Sequence, residues 1–347
     1  MQKYIVKVWR GEAPYSATAL FVPLFVLSLI YRVCLETREI LYRKGILKVR
    51  RASIPVISVG NITLGGTGKT PIVELLSRRL RERGLNPGIV LRGYKRERKG
   101  TFRVNGRTDT AGGVGDEAFM LSRKSGIPVI VGTERIKAIE KGVEECGIDI
   151  ALLDDGYQVR NVRKDVELLV LNGSEASRRG DLFPLGPYRE PIERMLRADA
   201  LLVSKGEPRE AVPAFAGHIP VFRVQFKPLH LYNVKHNLMA HYNFMQGKRV
   251  LAFSALGDNR SFFSLLNNLQ ALVVHEIAFP DHHAYTEADM KRIVSHKGID
   301  LLITTEKDAV KIAHLHIPDN LFYLAIEAAI EREEELIDRM LNKVKEA

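Results

Sequence analysis

Val59-Gly60-Asn61-Ile62-Thr63-Leu64-Gly65-Gly66-Thr67-Gly68-Lys69-Thr70 is the segment that decides the fold. It is a glycine-rich loop between an apolar run at 54–59 and a helical pattern at 71–83. In this setting main-chain N–H groups can point at phosphate oxygens, Lys69 can reach the β- and γ-phosphates, and the Thr70 hydroxyl can bind Mg²⁺. The sequence therefore predicts a P-loop that binds ATP through residues 63–70.

The match to the strict Walker A pattern is partial, because that pattern places glycine where this chain has Thr63. A plain turn with a chance Gly-Lys-Thr is the alternative, but the flanking strand and helix are the context that a P-loop requires. Dimerising membrane ATPases carry a second lysine just before Gly-Gly, and this position is Leu64 here. Leu64 therefore argues against a membrane-associated P-loop ATPase switch of the dimerising type. That switch stays the alternative to a kinase.

Strand-like and helix-like segments alternate from about residue 52 onward, which predicts an α/β fold with a parallel sheet. Two alternating runs, 221–226 and 229–232, indicate a two-stranded linker, and 327–347 has the pattern of an amphipathic helix. We therefore expect a P-loop-type sheet domain and a second, smaller α/β domain. The predicted division is an N-terminal hydrophobic and basic segment (1–51), the nucleotide-binding domain (52–221), the linker (222–247), the smaller domain (248–326) and a C-terminal helix (327–347).

The N-terminal stretch 13–31 has no charged residue, contains Pro23 and is flanked by Lys and Arg on both sides. Its length is borderline for a span, which needs about 20 apolar residues, and no signal-peptide cleavage site follows it. A helix lying in the membrane interface, with Lys and Arg on lipid phosphates, fits better. A core helix covering a sheet is the alternative.

Composition limits the possible partners. The formal net charge of +11 suits an anionic ligand or surface, and 46% hydrophobic residues can form a core. A nucleic-acid partner is not expected, because no pattern of interleaved aromatic and basic residues accompanies the charge. The two cysteines, Cys34 and Cys146, form no metal or disulfide framework, which favours a reducing compartment.

Two pairs of acidic residues could serve a phosphoryl-transfer site. Asp154 and Asp155 end the apolar run 148–153, and carboxylates at the end of a central strand lie beside the P-loop, where Mg²⁺ is held. A helix N-cap is the alternative role of such an Asp. Asp116 and Glu117 lie in a glycine-rich loop, where an acidic pair can also simply favour a helix start.

A kinase that acts on an alcohol also needs a group that takes or orients the hydroxyl proton. His282 lies in Pro280-Asp281-His282-His283, and pairing it with Asp116 would make catalysis depend on closure between two parts of the chain. Spacing alone does not establish this pair. Arg189 could bind the transferring phosphoryl group, and a solvated surface ion pair with Glu190 is the alternative.

These motifs, taken in order, resemble the tetraacyldisaccharide 4'-kinases, the lipid A 4'-kinases of Gram-negative bacteria. The resemblance covers nearly the whole chain. Thr63 in place of the first Walker glycine is typical of that family, whereas Val159 stands where members often have histidine. The matching runs are 60–71, Arg92-Gly93-Tyr94, Gly115-Asp116-Glu117, 153–158, 184–187 with Arg189-Glu190, 279–283 and 304–308.

The resemblance implies ATP-dependent phosphorylation of the 4'-hydroxyl of a tetraacyl disaccharide 1-phosphate. It also implies a hydrophobic helix at the cytoplasmic face of the inner membrane. We infer no obligate protein partner from the sequence. Asp116 and His282 would form a catalytic dyad, with Lys69 and Arg189 on phosphate. The other implied roles are Mg²⁺ binding by Thr70, Asp154, Asp155, Glu117 and Glu190, and substrate binding by Arg92, Arg135 and Gln158.

Overall fold

A computed structural model of the chain describes residues 18–173, 181–206 and 214–346. Thirteen strands in these ranges form one sheet, in which the order is β11-β10-β12-β13-β8-β7-β6-β1-β5-β2-β4-β3 and β9 pairs with β8. The strands are β1 Val56–Gly60, β2 Pro87–Leu91, β3 Phe102–Arg103, β4 Val129–Val131, β5 Ile150–Asp154, β6 Val166–Asn172, β7 Ala200–Ser204, β8 Val221–Asn233, β9 Met239–His241, β10 Arg249–Ser254, β11 Leu272–Ala278, β12 Leu301–Thr305 and β13 Leu321–Ile330.

Helices connect these strands, so the predicted α/β fold with a mostly parallel sheet is confirmed. The helices are α1 Thr18–Arg43, α2 Lys69–Glu82, α3 Ala111–Val114, α4 Asp116–Lys124, α5 Arg135–Cys146, α6 Asn259–Asn268, α7 Glu287–Val294, α8 Glu306–Ile312 and α9 Glu333–Glu346. Thr286 caps α7 through a capping box with Asp289.

The two parallel parts of the sheet meet at β8 and β13, which run antiparallel to each other. The predicted linker differs here from the structure, since its two alternating runs belong to the single strand β8. Pro228, which lies between the runs, pairs opposite a register irregularity in β13 and does not end the strand. β9 supplies a short second strand in the linker region, and the predicted domain division itself stays a prediction.

The C-terminal helix starts later than its charge pattern predicts. Residues 327–330 complete β13, and the helix α9 begins only at Glu333. Strand pairing with β8 decides this boundary, because Glu327 and Ala328 lie opposite Lys227 and Phe226. The apolar face of α9 then packs on the core next to α2, through Leu336, Ile337 and Met340.

The N-terminal hydrophobic stretch is helical where it is described, and residues 13–17 of that prediction lie outside the described ranges. Helix α1 covers one end of the core, with Leu35 buried against a cluster that includes Tyr188 and Met195. Its other face is exposed and apolar. Among the described helices, none combines the length and the apolar character needed to cross a membrane.

Candidate active site

The glycine-rich loop lies between β1 and α2, as the sequence predicts. Helix α2 begins at Lys69, two residues before the predicted start, because Gly68 adopts a left-handed conformation (φ 79°) at its N-cap. Leu64, Gly65 and Gly66 are exposed, while Thr63 and Thr67 are buried. The loop therefore presents its central glycines to solvent at the N-terminus of a helix, which is the arrangement that binds phosphate.

Two other segments lie close to this loop. A Cβ atom added to Gly68 would come within 2.1 Å of Cζ of Phe226 on β8. A Cβ atom added to Gly257, in the loop after β10, would be 2.9 Å from the main-chain N of Gly66. The second half of the chain therefore reaches the phosphate-binding loop, and glycine is required at both positions.

Asp154 ends β5, which pairs in parallel with β1, so its carboxylate lies beside the P-loop. The Thr70 hydroxyl donates a 3.1 Å hydrogen bond to Asp154 Oδ2. Only 4% of Asp154 is exposed. Burial and the nearby charge of Glu117 raise the pKa of this carboxyl from 3.8 to about 7. Asp154 is therefore a buried acid that a cation would convert to its charged form.

Asp155, the next residue, is held by two cations. Arg189 Nη1 donates to both of its carboxylate oxygens at 3.1 Å, and Lys69 Nζ lies 3.4 Å from Oδ1. Burial acts to raise the pKa of Asp155, but Lys69 and Arg189 outweigh it and the pKa is lowered. Asp155 also has a positive φ of 55°. It therefore connects the P-loop lysine to Arg189.

The residues next to Thr70 fit a magnesium ion. The carboxyl of Asp154 has a raised pKa and could bind a cation. The Thr67 Oγ1 atom is buried without a hydrogen-bond partner among the described residues, so it could bind a cation or a phosphate oxygen. No three His, Cys, Asp or Glu side chains in the described ranges are grouped closely enough to hold a metal. This arrangement suits Mg²⁺, which takes one or two carboxylates and completes its ligands with phosphate and water.

Two of the predicted metal ligands have other partners in the structure. Glu190 is buried and forms ion pairs with Arg38 at 3.1 Å and with Arg197 at 2.6 Å. Glu117 is 3.1 Å from Lys307, although its charge acts on Asp154. The five predicted ligands are therefore not gathered into one cluster, and their assignment stays a prediction.

Asp116 and His282, which are far apart in sequence, lie together. Asp116 is the first residue of α4, and its Oδ2 is 3.8 Å from His282 Nδ1. The imidazole also packs against the Tyr94 ring, with 4.8 Å between ring centroids. His283 differs, since its Nε2 is 3.1 Å from Asp289 and its ring stacks on Phe279. Of the two adjacent histidines, His282 is therefore the one beside the acidic loop.

Comparisons with known proteins identify the family of the chain. The family model described as Tetraacyldisaccharide-1-P 4'-kinase matches residues 20–345. The chain belongs to this kinase family. It is 35% identical over 333 residues to the tetraacyldisaccharide 4'-kinase of Desulfatibacillum aliphaticivorans, covering 89% of this chain and 88% of that protein. It is 34% identical to the Shewanella halifaxensis tetraacyldisaccharide 4'-kinase, covering 95% and 94%.

A solved structure is also similar. It is LpxK from Aquifex aeolicus in complex with ATP, at 31% identity and a TM-score of 0.77, covering 94% of this chain and 99% of that one. The predicted ATP-dependent lipid A 4'-kinase is therefore confirmed in preference to the switch ATPase, and ATP and Mg²⁺ are its cofactors.

The three predicted substrate residues differ in their surroundings. Arg135 is buried at the start of α5, where burial and Arg92 lower its pKa to about 10, and Asp155 and Asp154 act against this shift. Arg92 is exposed. Gln158 donates a 2.6 Å hydrogen bond to the Asn61 carbonyl oxygen, and its Oε1 is buried without a partner in the described ranges. Their contact with substrate stays a prediction.

Val159 packs against a hydrophobic cluster that includes Ile139 and Ile148. The chain therefore places an apolar contact at the position where the family resemblance led us to expect a histidine.

Several residues that contact the site were not predicted from the sequence. Tyr31 and Arg38 on α1 contact the loop that carries Arg189 and Glu190. Lys307 and Lys311 on α8 contact Glu117 and Asp116. The run 304–308 was recognised as a family motif, but spacing alone could not show that these lysines face α4.

Proposed function

We propose that this kinase holds MgATP through Lys69, Thr70 and Asp154 and activates the 4'-hydroxyl of a tetraacyl disaccharide 1-phosphate through Asp116 and His282. One connection supports the proposal. The Thr70 hydroxyl is hydrogen-bonded to Asp154, and the charge of Glu117 helps to raise the pKa of Asp154. Glu117 directly follows Asp116 of the dyad. The nucleotide-binding residues and the acid–base pair thus lie at one site.

The chemistry follows from these positions. The 4'-oxygen attacks the γ-phosphorus of ATP, its proton passes to His282, and the bond between the γ-phosphorus and the bridging oxygen of ADP breaks. Asp116 stabilises the imidazolium that forms. Lys69 and Arg189 face the negative charge on the phosphoryl oxygens. Bound Mg²⁺ neutralises phosphate charge, and Thr70 and Asp154 are the residues that would hold it.

The 3.8 Å separation between Asp116 and His282 is longer than a hydrogen bond. Catalytic hydrogen bonds are often long without substrate and shorten in the reactive complex. We propose that closure of the segment that carries His282 toward α4 shortens this contact when both substrates are bound.

We further propose that α1 places the enzyme on the cytoplasmic face of the inner membrane, where an acylated sugar lies. Val22, Val26, Leu29 and Val33 are spaced by three or four residues, and each is exposed by 47–65%. They form an apolar stripe on the side of α1 opposite Tyr31 and Leu35. A helix of this kind binds a bilayer interface by burying its apolar face.

The test is phosphate transfer from radiolabelled ATP to purified tetraacyl disaccharide 1-phosphate in detergent micelles. We expect labelled lipid from the wild type and none from Lys69→Ala. His282→Ala and Asp116→Ala should lower kcat by roughly 10²- to 10⁴-fold, the usual contribution of acid–base catalysis. His283→Ala is the matched control and should keep most of kcat. Normal turnover in both dyad variants would show that the dyad assignment is wrong.

A further inference from the structure

The run Thr304-Thr305-Glu306-Lys307-Asp308 has no part in the function proposed above. In the structure, β12 ends at Thr305 and α8 begins at Glu306. The Thr305 hydroxyl accepts a 3.1 Å hydrogen bond from the Asp308 main-chain N–H, which caps the helix. The cap fixes the first turn of α8 and therefore the direction of its side chains.

Helix α8 packs against α4, the helix that starts with Asp116 and Glu117. Three ion pairs join the two helices. Glu306 pairs with Lys124 at 3.0 Å, Lys307 pairs with Glu117 at 3.1 Å, and Lys311 lies 3.9 Å from Asp116. Lys307 and Lys311 share one face of α8 because they are four residues apart. This face is therefore directed at the acidic end of α4.

Lys307 has the more central position of the two lysines. Its Nζ is 3.1 Å from Glu117 Oε1, 3.4 Å from His282 Nε2 and 3.7 Å from Asp281 Oδ1. Its side chain is only 16% exposed. Two carboxylates, those of Glu117 and Asp281, lie within 3.7 Å of this nitrogen, and lysine is ordinarily protonated at neutral pH. The side chain is therefore an ammonium at neutral pH.

An ammonium can only donate hydrogen bonds, so the nitrogen of His282 that faces it must accept. This contact places the ring proton of a neutral imidazole on Nδ1, the nitrogen that faces Asp116. Nε2 then carries the lone pair that can take a proton. The contact of 3.4 Å is long for a hydrogen bond, so an acceptor hydroxyl could replace Lys307 at Nε2.

We propose that Lys307 is a positioning residue of the kinase, which selects the reactive tautomer of His282 and holds the ring with Nδ1 toward Asp116. The inference rests on the proposed function, in which His282 takes the proton of the acceptor. In this role Lys307 contacts both His282 of the acid–base pair and Glu117, the carboxylate whose charge helps to raise the pKa of Asp154. The alternative is an ion pair that only docks α8 on α4.

Lys124 offers a matched control for that alternative. Its ammonium joins the same two helices by pairing with Glu306, and it also binds Glu74 at 3.1 Å. No contact of Lys124 in the described ranges involves His282. Lys124→Met therefore removes a docking ion pair of the same kind without removing the contact to the imidazole.

The first experiment compares kcat and KM for ATP in both variants. We expect Lys307→Met to lower kcat roughly 10- to 100-fold, part of the contribution of the acid–base pair, with KM for ATP nearly unchanged. Lys307→Arg should recover part of the loss, because a guanidinium also donates. Lys124→Met should lower the unfolding temperature but leave kcat within about threefold of wild type. Equal loss of kcat in Lys307→Met and Lys124→Met would overturn the inference.

The second experiment repeats Lys307→Met in the His282→Ala background. If Lys307 acts through His282, the further loss in kcat should be within about twofold, whereas independent effects multiply. If Lys307→Met lowers kcat in the His282→Ala background by the same factor as in the wild type, the inference is overturned. The dyad assignment would still stand. Unchanged kcat in His282→Ala alone would instead overturn the proposed function. If Lys307→Met is unfolded at the assay temperature, Lys307→Leu replaces it, because it also removes the N–H donor.

Discussion

The Tyr31 hydroxyl donates a 2.8 Å hydrogen bond to the main-chain carbonyl oxygen of Arg189. Burial raises the pKa of Tyr31, although Arg189 and Arg38 act against it, so the hydroxyl keeps its proton and donates. Arg189 in turn binds Asp155, which lies 3.4 Å from the P-loop lysine. Helix α1 is therefore connected to the phosphate-binding residues by a short series of polar contacts.

Replacing Tyr31 with Phe tests this connection. We expect the free energy of unfolding to fall by about 1 kcal/mol, the usual net value of one hydrogen bond, and kcat to fall several-fold because Arg189 is less well held. Urea unfolding and the phosphate-transfer assay measure the two effects. Tyr42→Phe is the control, because Tyr42 is on the same helix and its hydroxyl has no hydrogen bond within the described ranges. Equal behaviour of the two variants would contradict the connection.

Gly68 is the P-loop position with the least room for a side chain. Its φ is +79°, and an added Cβ atom would overlap the Phe226 ring. Gly68→Ala should therefore lower the free energy of unfolding by more than about 2 kcal/mol, from left-handed backbone strain and overpacking together. Chemical unfolding of the nucleotide-free protein measures this loss.

The matched control is Gly66→Ala, since a Cβ atom at Gly66 meets no atom within 4 Å. Its stability should stay close to wild type. Combining Gly68→Ala with Phe226→Ala should recover the part of the loss that comes from overlap but not the part from φ. If Gly68→Ala is as stable as Gly66→Ala, the described packing of β8 on the P-loop is wrong.

The raised pKa of Asp154 predicts how the free energy of unfolding depends on pH when neither metal nor nucleotide is bound. Its pKa is raised to about 7 in the folded protein, compared with an ordinary value of 3.8. Between these values the folded state binds a proton that the unfolded chain has released. This contribution is full below 3.8 and is lost as pH rises through about 7. The contribution of this group to the free energy of unfolding should therefore fall mainly between about pH 4 and pH 7 and level off above that range.

Thermal unfolding in EDTA at pH 5, 6, 7 and 8 measures this effect. Asp154→Asn, which resembles the protonated acid in shape and charge, should remove most of the pH dependence in this range. MgATP should also reduce the dependence, because a bound cation stabilises the ionised carboxylate. An unchanged pH dependence in Asp154→Asn would show that another group is responsible.

Local patterns were enough to predict the P-loop, the acidic strand end of β5 and the alternation of strands and helices. They were not enough for β8, where Lys227 and Pro228 interrupt the alternating pattern. Proline lacks an N–H group and usually ends a strand. Here Pro228 lies opposite the register shift between Leu324 and Ile326 of β13, so the strand continues. Only the partner strand shows this.

The candidate site shows the same limit. Lys69, Thr70 and Asp154 follow from a strand end and a loop that are local features of the sequence. The pairing of Asp116 with His282 required the family resemblance, because it joins segments that are far apart in the chain. The ion pairs of Lys307 and Lys311 depend on how α8 packs on α4. That packing cannot be derived from the positions of charged residues in the sequence.

The exposed stripe on α1 yields the last prediction, which concerns the membrane. Deleting residues 1–31 would also remove the contacts of Ser28 and Tyr31 with the loop at 182–189, so substitutions separate the two roles better. Val26→Asp with Leu29→Asp changes only the exposed side of α1, where these residues are 48% and 47% exposed. The pair should strongly reduce cosedimentation with phosphatidylglycerol vesicles, because acidic groups oppose insertion into an anionic interface.

The control for that experiment is Leu238→Asp with Met239→Asp, which changes two residues of equal or greater exposure at the hairpin of β8 and β9. Charge and exposed apolar area change similarly in both double variants, so a general loss of hydrophobicity would affect them equally. Selective loss in the α1 variant would place the membrane contact on the stripe. Equal cosedimentation of all three proteins would mean that α1 serves only to hold the Arg189 loop, and that the basic surface binds the acceptor without help from the helix.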